Sequence, residues 1–414
     1  MDTLLMSEEW LASLSWAVEL NVEQLRGRNQ RIVRSWWMRP MFFQRRQDGN
    51  RLLDDIVAER TNETINTFIR VKPEDLEFLL RSIAPEIARM NTNMRDAITT
   101  QERLLILLHY LATGHTFSSL QFLFRVSRSS ISRIVKETSL CLNKVLRSYL
   151  KLPSTKQQWL EVSQRFEQRW NFPHAIGAMD GKHVKIRAPA HSGSDYYNYK
   201  NFFSIVLLVI VDADYNFLFA DAGGKGGISD GGILRNSRLF QKLENKLLNI
   251  PDPEPLRVPY RVPVPYFLLG DKAFAYTDYC IRPFGGIHSP GSYQRIFNYR
   301  HSRARMPVEN ALGIVTNKFE VLSGPIRLPP DVAKHVVLTP LYLHNFLRKS
   351  ASRHIYSPPS SFDRVVNGNL VPGDWRANEG LAGLQGVSSR APDRLLNIRT
   401  HMALDFKHNY NHYG

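Results

Sequence analysis

The chain has 414 residues and a clear excess of basic over acidic side chains. Lys and Arg number 54 and Asp and Glu 38, so 54 − 38 gives a formal net charge of +16 at pH 7. This charge favours a polyanionic partner. A hydrophobic fraction of 43% with 22% charged residues excludes a wholly disordered chain. At about 100 to 200 residues per domain, we expect two or three domains.

Cysteine and hydropathy patterns restrict the class of protein further. Cys141 and Cys280 are the two cysteines, too few for a disulfide framework or a four-thiolate zinc site, so any metal would use oxygen or imidazole ligands. The first ten residues are acidic where a signal peptide is basic, and the longest aliphatic run is Ile205 to Val211. We therefore expect a soluble intracellular protein with no membrane partner, and nucleic acid as the polyanion.

Residues 1–95 are predicted to be helical, with a basic and aromatic segment from Arg26 to Arg51. Its arginines have only Asp48 as an acidic neighbour, and Trp36 and Trp37 lie among them. Two interpretations stay open. The segment is either a solvated helix face with aromatic rings in a core, or a patch that contacts phosphates or docks a partner.

Residues 96–155 have the pattern of a compact helical module. Thr99 and Glu102 have capping-box spacing, and Gly114 suits a left-handed helix end. A second short helix is predicted after Thr116, and Ser127 is predicted to cap a third. Two short helices followed by a basic one are typical of a helix-turn-helix.

The third helix of this module carries the predicted DNA contacts. Basic residues from Arg125 to Lys151 are opposed only by Glu137. We predict that the outward side chains of this helix bind DNA, while a plain three-helix bundle is the alternative. The predicted contacts are Arg128, Arg133 and Lys136.

From residue 156 to 350 the pattern changes to α/β, and 351–414 is predicted to be an irregular tail. Acidic and asparagine residues at 212–216 indicate a hairpin turn. Helices are predicted near 234–248 and 308–322. The predicted strands are Ile176–Met179, Val184–Ile186, Phe203–Val211, Phe217–Phe219 and Tyr266–Leu269.

Three carboxylates lie at the ends of apolar elements. Asp180 and Asp271 each end a strand, and Glu309 is placed near the start of a helix with Pro307 in its first turn. Acids at strand ends point into the crevice where α/β sheets bind ligands. Oxygen ligands of this kind suit Mg²⁺ or Mn²⁺, and two such ions can support phosphodiester cleavage. The alternative is that these acids cap turns and helices.

The order of short motifs from about residue 95 to 348 resembles the PIF/Harbinger transposase family and its domesticated nuclease relatives. The motifs follow the helix-turn-helix pattern and surround each of the three acids. They are Ala178–Val184, Ser192–Lys200, Ser229–Gly232, Gly270–Phe274, His301–Asn310 and Leu343–Leu347.

This resemblance implies an RNase H-like catalytic domain, a mixed sheet flanked by helices, behind an all-α region. Its DDE triad falls on Asp180, Asp271 and Glu309, with spacings of 271 − 180 = 91 and 309 − 271 = 38 residues. The implied activity is two-metal cleavage of DNA by an endonuclease or transposase, with strand transfer if the element is mobile. The alternative is a domesticated DNA-binding or adaptor protein that keeps the fold without cleavage.

Further residues near the triad are candidates for contacts with DNA. One guanidinium group can donate two parallel hydrogen bonds to phosphate oxygens, which makes Arg303 and Arg305 candidates for such contacts. His183 and His301 are either phosphate contacts or structural residues. Segment 196–200 offers stacking rings, with edge packing as the alternative, and the glycine-rich loop 223–227 is predicted to be a flexible DNA-facing loop. The predicted phosphate contacts here are Lys182, Lys200, Arg303 and Arg305.

The resemblance also implies partners and a location. It implies DNA, as transposon ends and target, together with a separate Myb/SANT-like DNA-binding protein that aids nuclear import. We expect the protein in the nucleus, or in the cytoplasm until it is imported, and a homo-oligomer is an option. The Arg26–Arg51 segment is our candidate docking surface.

Overall fold

The computed structural model describes residues 40–42, 45, 55, 67–93, 96–228, 237–256, 262–366, 369–378, 380–386 and 391–408. Most of the basic Arg26–Arg51 segment therefore lies outside the described residues. Arg45 is an exception, and it is buried. It donates a hydrogen bond of 2.9 Å to the Ala97 carbonyl oxygen and lies 3.5 Å from the Glu102 carboxylate. This one arginine is a structural residue.

The described helical region before the sheet includes α1 (Pro73–Ile87), α2 (Thr100–Thr113), α3 (Phe117–Phe124) and α4 (Arg128–Val145), and a 3-10 turn follows at Leu146–Tyr149. The predicted helix ends are confirmed. Thr99 and Glu102 form the full capping box, and Gly114 ends α2 with φ 63°. The Thr116 and Ser127 hydroxyls accept hydrogen bonds from the backbone at the starts of α3 and α4.

A mixed sheet follows helix α5 (Lys156–Trp170), and the predicted α/β class is confirmed. Its strands are β1 (Ala175–Lys185), β2 (Ser204–Val211), β3 (Phe217–Lys225), β6 (Phe267–Leu269), β7 (Cys280–Ile281) and β10 (Ala382–Gly383). The order is β3-β2-β1-β6-β7, with β10 also paired to β1. The pairs β1–β2 and β2–β3 are antiparallel, whereas β6 and β7 run parallel to β1.

The remaining elements surround this sheet. The helices are α6 (Arg238–Glu244), α7 (Tyr293–Lys318), α8 (Pro330–Lys349), α9 (Arg353–Tyr356) and α10 (Asp393–His408). Two small antiparallel pairs are formed by β4 (Glu254–Pro255) with β5 (Pro263–Val264), and by β8 (Arg364–Val366) with β9 (Asn369–Val371). Short 3-10 turns lie at Glu320–Leu322, Pro359–Ser361 and Asp374–Ala377.

Hydrophobic cores cover both faces of the sheet, as the uninterrupted apolar sequence of β2 requires. Ile205, Leu207 and Val209 belong to the larger core, which continues into α1–α4 and α10. Leu208 and Ile210 belong to a second core with α6. No helix in the described part of the chain is long and apolar enough to cross a membrane.

Three predictions of local structure were wrong. The strands predicted at Ile176–Met179 and Val184–Ile186 belong to one continuous strand, β1, so Asp180 lies inside a strand and does not end one. Helix α7 begins at Tyr293, after the N-cap Ser292, so Pro307 lies inside it and Glu309 lies well past its first turn. Polar His301 and Arg305 on its buried face interrupt the apolar pattern that would have extended the prediction upstream.

The C-terminal tail also differs from its prediction. Residues 351–408 include helix α10, whose Leu395, Met402 and Phe406 are buried in the larger core. The proposed domain boundaries at 95, 155 and 350 stay predictions.

Candidate active site

Asp180 lies in the middle of β1, where two other strands meet the same edge. Upstream of it Ala178 pairs with Leu269 of β6, and downstream Lys182 pairs with Gly383 of β10. Asp180 is 3% exposed, and its Oδ1 atom accepts a 2.9 Å hydrogen bond from the Gly181 N–H. A side chain at position 181 would collide with Leu384, so glycine lets residues 380–386 pass beside Asp180.

Asp271 follows strand β6, which pairs in parallel with β1. Each acid lies two residues beyond the parallel pair formed by Ala178 and Leu269. The Asp271 side chain accepts a hydrogen bond of 2.9 Å from the Ala273 N–H, which fixes the turn after β6. Gly270 is required here, because a Cβ atom would lie 2.5 Å from the Cys280 sulfur.

Glu309 is brought to the same region by α7, which packs on β1. Burial raises the pKa of Glu309, and the nearby negative charge of Asp180 adds to this effect. Arg305, Lys182 and Arg376 oppose the rise. Asp180 is therefore close enough to affect the ionisation of Glu309.

Two cations neutralise this acidic region. Lys182 Nζ lies 3.0 Å from Asp180 Oδ2. The Arg305 guanidinium lies 3.7 Å from both Asp180 Oδ1 and Glu309 Oε1, and it donates a 3.3 Å hydrogen bond to the Met179 carbonyl oxygen. Arg305 is buried, so its positive charge interacts with the acids and not with ligands at the protein surface.

The donor chemistry of the three acids fits a hard divalent cation. Asp180 Oδ2 is buried and accepts no aligned hydrogen bond from the described residues, so a metal ion at this oxygen would compete only with the Lys182 ion pair. In the described part of the chain, however, no three His, Cys, Asp or Glu side chains are already grouped as metal ligands. Metal binding at these acids would require side-chain adjustment.

The described residues between 359 and 386 form a strap. The strap adds residues to the site that the sequence did not indicate. The Arg376 guanidinium is held by the buried Asp363 carboxylate, with Nη2 at 2.7 Å from Oδ2 and 3.8 Å from Glu309 Oε2. Asn310 accepts hydrogen bonds from the Asp363 N–H and the Trp375 indole. The only sequence signal was an isolated Trp-Arg pair in a polar segment.

The other predicted DNA contacts fall into exposed and buried groups. Arg128, Arg133 and Lys136 are exposed on α4, and Lys200 is exposed after β1. Lys182 and Arg303 are half-buried, and the Arg303 guanidinium lies over the Tyr299 ring. The prediction that Arg305 faces DNA conflicts with its burial, because the charge of this residue is used by Asp180 and Glu309.

The two histidines follow their structural interpretation. His183 bonds to the Ser204 hydroxyl, and burial lowers its pKa to about 4. His301 is fully enclosed near the Ile281 carbonyl oxygen, and burial lowers its pKa to about 3. Both are neutral near pH 7 and therefore poor ligands for phosphate.

The glycine-rich loop also has a packing role. Cβ atoms at Gly226 and Gly227 would lie 2.7 Å from backbone oxygens of Tyr196 and Asp195. Gly223 to Lys225 belong to β3. The loop therefore packs against segment 194–196 instead of forming a flexible surface. The Ser229–Gly232 motif and residues 234–236 of the predicted helix lie outside the described residues.

Comparison with known proteins agrees with this arrangement. Residues 179–345 match the family model described as DDE superfamily endonuclease. "Protein ALP1-like" of Arabidopsis thaliana is 23% identical over 314 residues, covering 74% of this chain and 75% of the relative. "Putative nuclease HARBI1" of Rattus norvegicus is 23% identical over 301 residues, covering 72% and 81%. No solved structure matches significantly.

Residues 179–345, which include the three acids and most of the sheet, are thus similar to a DDE superfamily endonuclease domain. The chain is a distant homologue of the Harbinger-derived proteins, and the resemblance predicted from its motifs is confirmed.

Proposed function

We propose that this protein is a metal-dependent DNA endonuclease with Asp180, Asp271 and Glu309 as catalytic residues. The observation that carries the proposal is the strand register, in which Asp180 and Asp271 each follow the Ala178–Leu269 pair by two residues. The strand order, three antiparallel strands followed by parallel ones, supports an RNase H-like fold. The match to a DDE endonuclease model supports the reaction class.

The three carboxylates would hold Mg²⁺ or Mn²⁺, in a pair of ions. When bound, such ions make water nucleophilic and offset the charge on the leaving oxygen of the phosphodiester. Lys182 and Arg305 hold the acids in place through the ion pairs described above. Arg303 and Lys200 would bind the flanking phosphates. If the protein is a transposase, the released 3′-hydroxyl would attack target DNA in the same site, and the target strand's own 3′-oxygen would leave.

The first prediction concerns cleavage of supercoiled plasmid DNA by the full chain in Mg²⁺ or Mn²⁺. Asp180→Asn, Asp271→Asn and Glu309→Gln should each reduce nicking by at least about 100-fold, because each removes a charged oxygen ligand. DNA binding in EDTA should persist. Asp252→Asn is the matched control, since Asp252 is exposed and its ion-pair partner is Lys156, which is not a residue of the proposed site. Nicking that survives in all three variants would reject the assigned site.

The alternative function is a DNA-binding or adaptor protein without cleavage. It is favoured by the lack of a preformed three-ligand cluster among the described residues. The same assay separates the two functions. Tight DNA binding with no nicking by the unmodified protein in either ion would support the adaptor.

The proposed partners follow from the family resemblance. We propose nuclear DNA as the substrate and a Myb/SANT-like protein as a partner that docks on the Arg26–Arg51 segment. Co-precipitation should be lost on deletion of residues 20–50, and its survival would remove the proposed docking surface.

A further inference from the structure

Two tyrosine rings lie exposed in the connection between β1 and β2. Tyr197 is 42% exposed and Tyr199 is 45% exposed, although most large rings of the described chain are buried. Asn198 between them is buried, where its amide donates to the Ser204 hydroxyl and accepts from the Lys200 and Phe202 N–H groups. The turn is therefore rigid, and it presents both rings outward.

Tyr199 is held in one orientation by the protein. Its hydroxyl donates a 2.9 Å hydrogen bond to the Gly383 carbonyl oxygen, and its ring meets the edge of His183 at 5.9 Å. A surface tyrosine commonly keeps its hydroxyl in water, but this hydroxyl has an internal partner while the ring stays exposed. A ring fixed in this way loses little conformational entropy on binding a flat ligand.

The Tyr199 ring is anchored next to the catalytic acids. Its partner Gly383 lies in β10, directly across from Lys182 in the strand register. Lys182 is the counter-ion of Asp180 at 3.0 Å. One hydrogen bond and one strand pair therefore connect the Tyr199 ring to the residue that neutralises Asp180.

The charge around the rings is positive. Lys200 Nζ lies 5.7 Å from the Tyr199 ring centroid, and Lys185 Nζ lies 5.5 Å from the Phe202 ring. The nearest acid in the segment, Asp195, is paired with Lys225 at 2.6 Å. A ligand for this surface should thus combine a flat aromatic face with negative charge.

We propose that Tyr199, with Tyr197 and Lys200, forms a stacking surface for an unpaired DNA base beside the cleaved phosphate. The proposal rests on the proposed function and names the substrate more closely. Unpaired nucleotides offer both an exposed π-face and a phosphate, whereas a duplex hides its base faces. An acidic peptide would use the cations but would leave the ring faces without a role.

The test compares binding of the full chain to two DNA probes in EDTA, by fluorescence anisotropy. One probe is a fully paired duplex, and the other has the same sequence with a short unpaired arm. The unmodified protein should bind the forked probe about 10-fold more tightly, in line with one stacked base. Tyr199→Leu should abolish most of this preference, and Tyr199→Phe should keep most of it because the ring remains.

Two controls define the outcome. Phe78→Leu removes an aromatic ring that is also 45% exposed but lies on α1, and it should leave the fork preference unchanged. A 2-aminopurine in the unpaired arm should be quenched on binding the unmodified protein, a readout that needs no variant.

Equal affinity for the two probes, absence of quenching, or an unchanged preference in Tyr199→Leu would overturn the proposal. So would competition by poly-glutamate as effective as competition by forked DNA. Fork preference without nicking in Mg²⁺ would reject the nuclease function while the stacking surface stands, so the two failures are distinguishable. Absence of all DNA binding would reject both.

Discussion

His344 shows how a motif residue can serve the fold. Its side chain is buried, with Nδ1 2.9 Å from the Tyr356 hydroxyl and Nε2 2.9 Å from the Tyr215 carbonyl oxygen. The neutral ring satisfies both partners by donating from Nε2 and accepting at Nδ1. Burial, helped by the charge of Arg348, lowers the pKa of His344 to about 3. The histidine therefore joins α8 to the β2–β3 hairpin, and its burial destabilises the charged form of the ring.

This pKa shift predicts a pH dependence of stability. Because the folded pKa is below the unfolded value of about 6.5, the folded state binds fewer protons, and stability falls as pH drops below about 6.5. His344→Gln should reduce the slope of unfolding free energy against pH, between pH 6 and 4.5, by up to about 1.4 kcal/mol per pH unit. Urea denaturation measures this slope. His354→Gln, at an exposed position, should leave it unchanged, and an equal change in both variants would contradict the prediction.

Asn345, the next residue, forms hydrogen bonds with the backbone of the edge strand β3. Its amide accepts from the Phe217 N–H at 2.9 Å and donates to the Phe217 carbonyl oxygen at 2.8 Å. The side chain thus replaces a neighbouring strand at the start of β3. The sequence singled out the Leu343–Leu347 motif, but it could not assign these roles because the partners Tyr215 and Phe217 are more than 120 residues away.

Among the elements, the strap is fixed to α7 by a close contact between Gly313 and Trp375. A Cβ atom at position 313 would overlap the Trp375 ring. The indole N–H also donates a 3.0 Å hydrogen bond to Asn310, the residue after Glu309. The strap therefore clamps the turn of α7 that carries a candidate catalytic acid.

The Gly313→Ala substitution tests this clamp, because helix propensity and packing predict opposite signs. Alanine stabilises a helix interior by about 1 kcal/mol relative to glycine. Overlap with Trp375 should outweigh this gain and destabilise the protein by about 1 to 3 kcal/mol. In a Trp375→Ala background the same substitution should be neutral or stabilising. Equal effects of Gly313→Ala in the two backgrounds, measured by urea denaturation, would refute the clamp.

Elements with local signals were predictable from the sequence, and elements defined by distant contacts were not. Thr99, Gly114 and Ser127 marked helix ends because caps act within a few residues. The short strand β10 has no such pattern, since it consists of two residues that gain their pairing from β1. The candidate acids could be named from the motifs around them, although Asp180 lies inside β1 and not at a strand end. The cations and the strap around them required the folded chain.

At the scale of the whole molecule, the helices before the sheet and the α/β region share one hydrophobic core. Helix α4 packs on α1, α2 and α8, and α8 in turn packs on β3. One face of α4 is thereby buried, and Arg128, Arg133 and Lys136 lie on the exposed face. DNA bound to this face would be held in a fixed relation to the sheet, since α4 and the sheet are joined through α8.

This arrangement predicts how the salt dependence of DNA binding should change. Arg133→Gln and Lys136→Gln should each weaken binding and reduce the slope of log K against log salt by about 1, if each side chain contacts a phosphate. Lys144→Gln is the matched control, because it removes the same charge from the same helix. Lys144, however, is paired with Glu86 at 2.7 Å. Its slope should stay close to that of the unmodified protein. A similar reduction in all three variants would show a general charge effect, and no reduction in Arg133→Gln and Lys136→Gln would return α4 to a purely structural role.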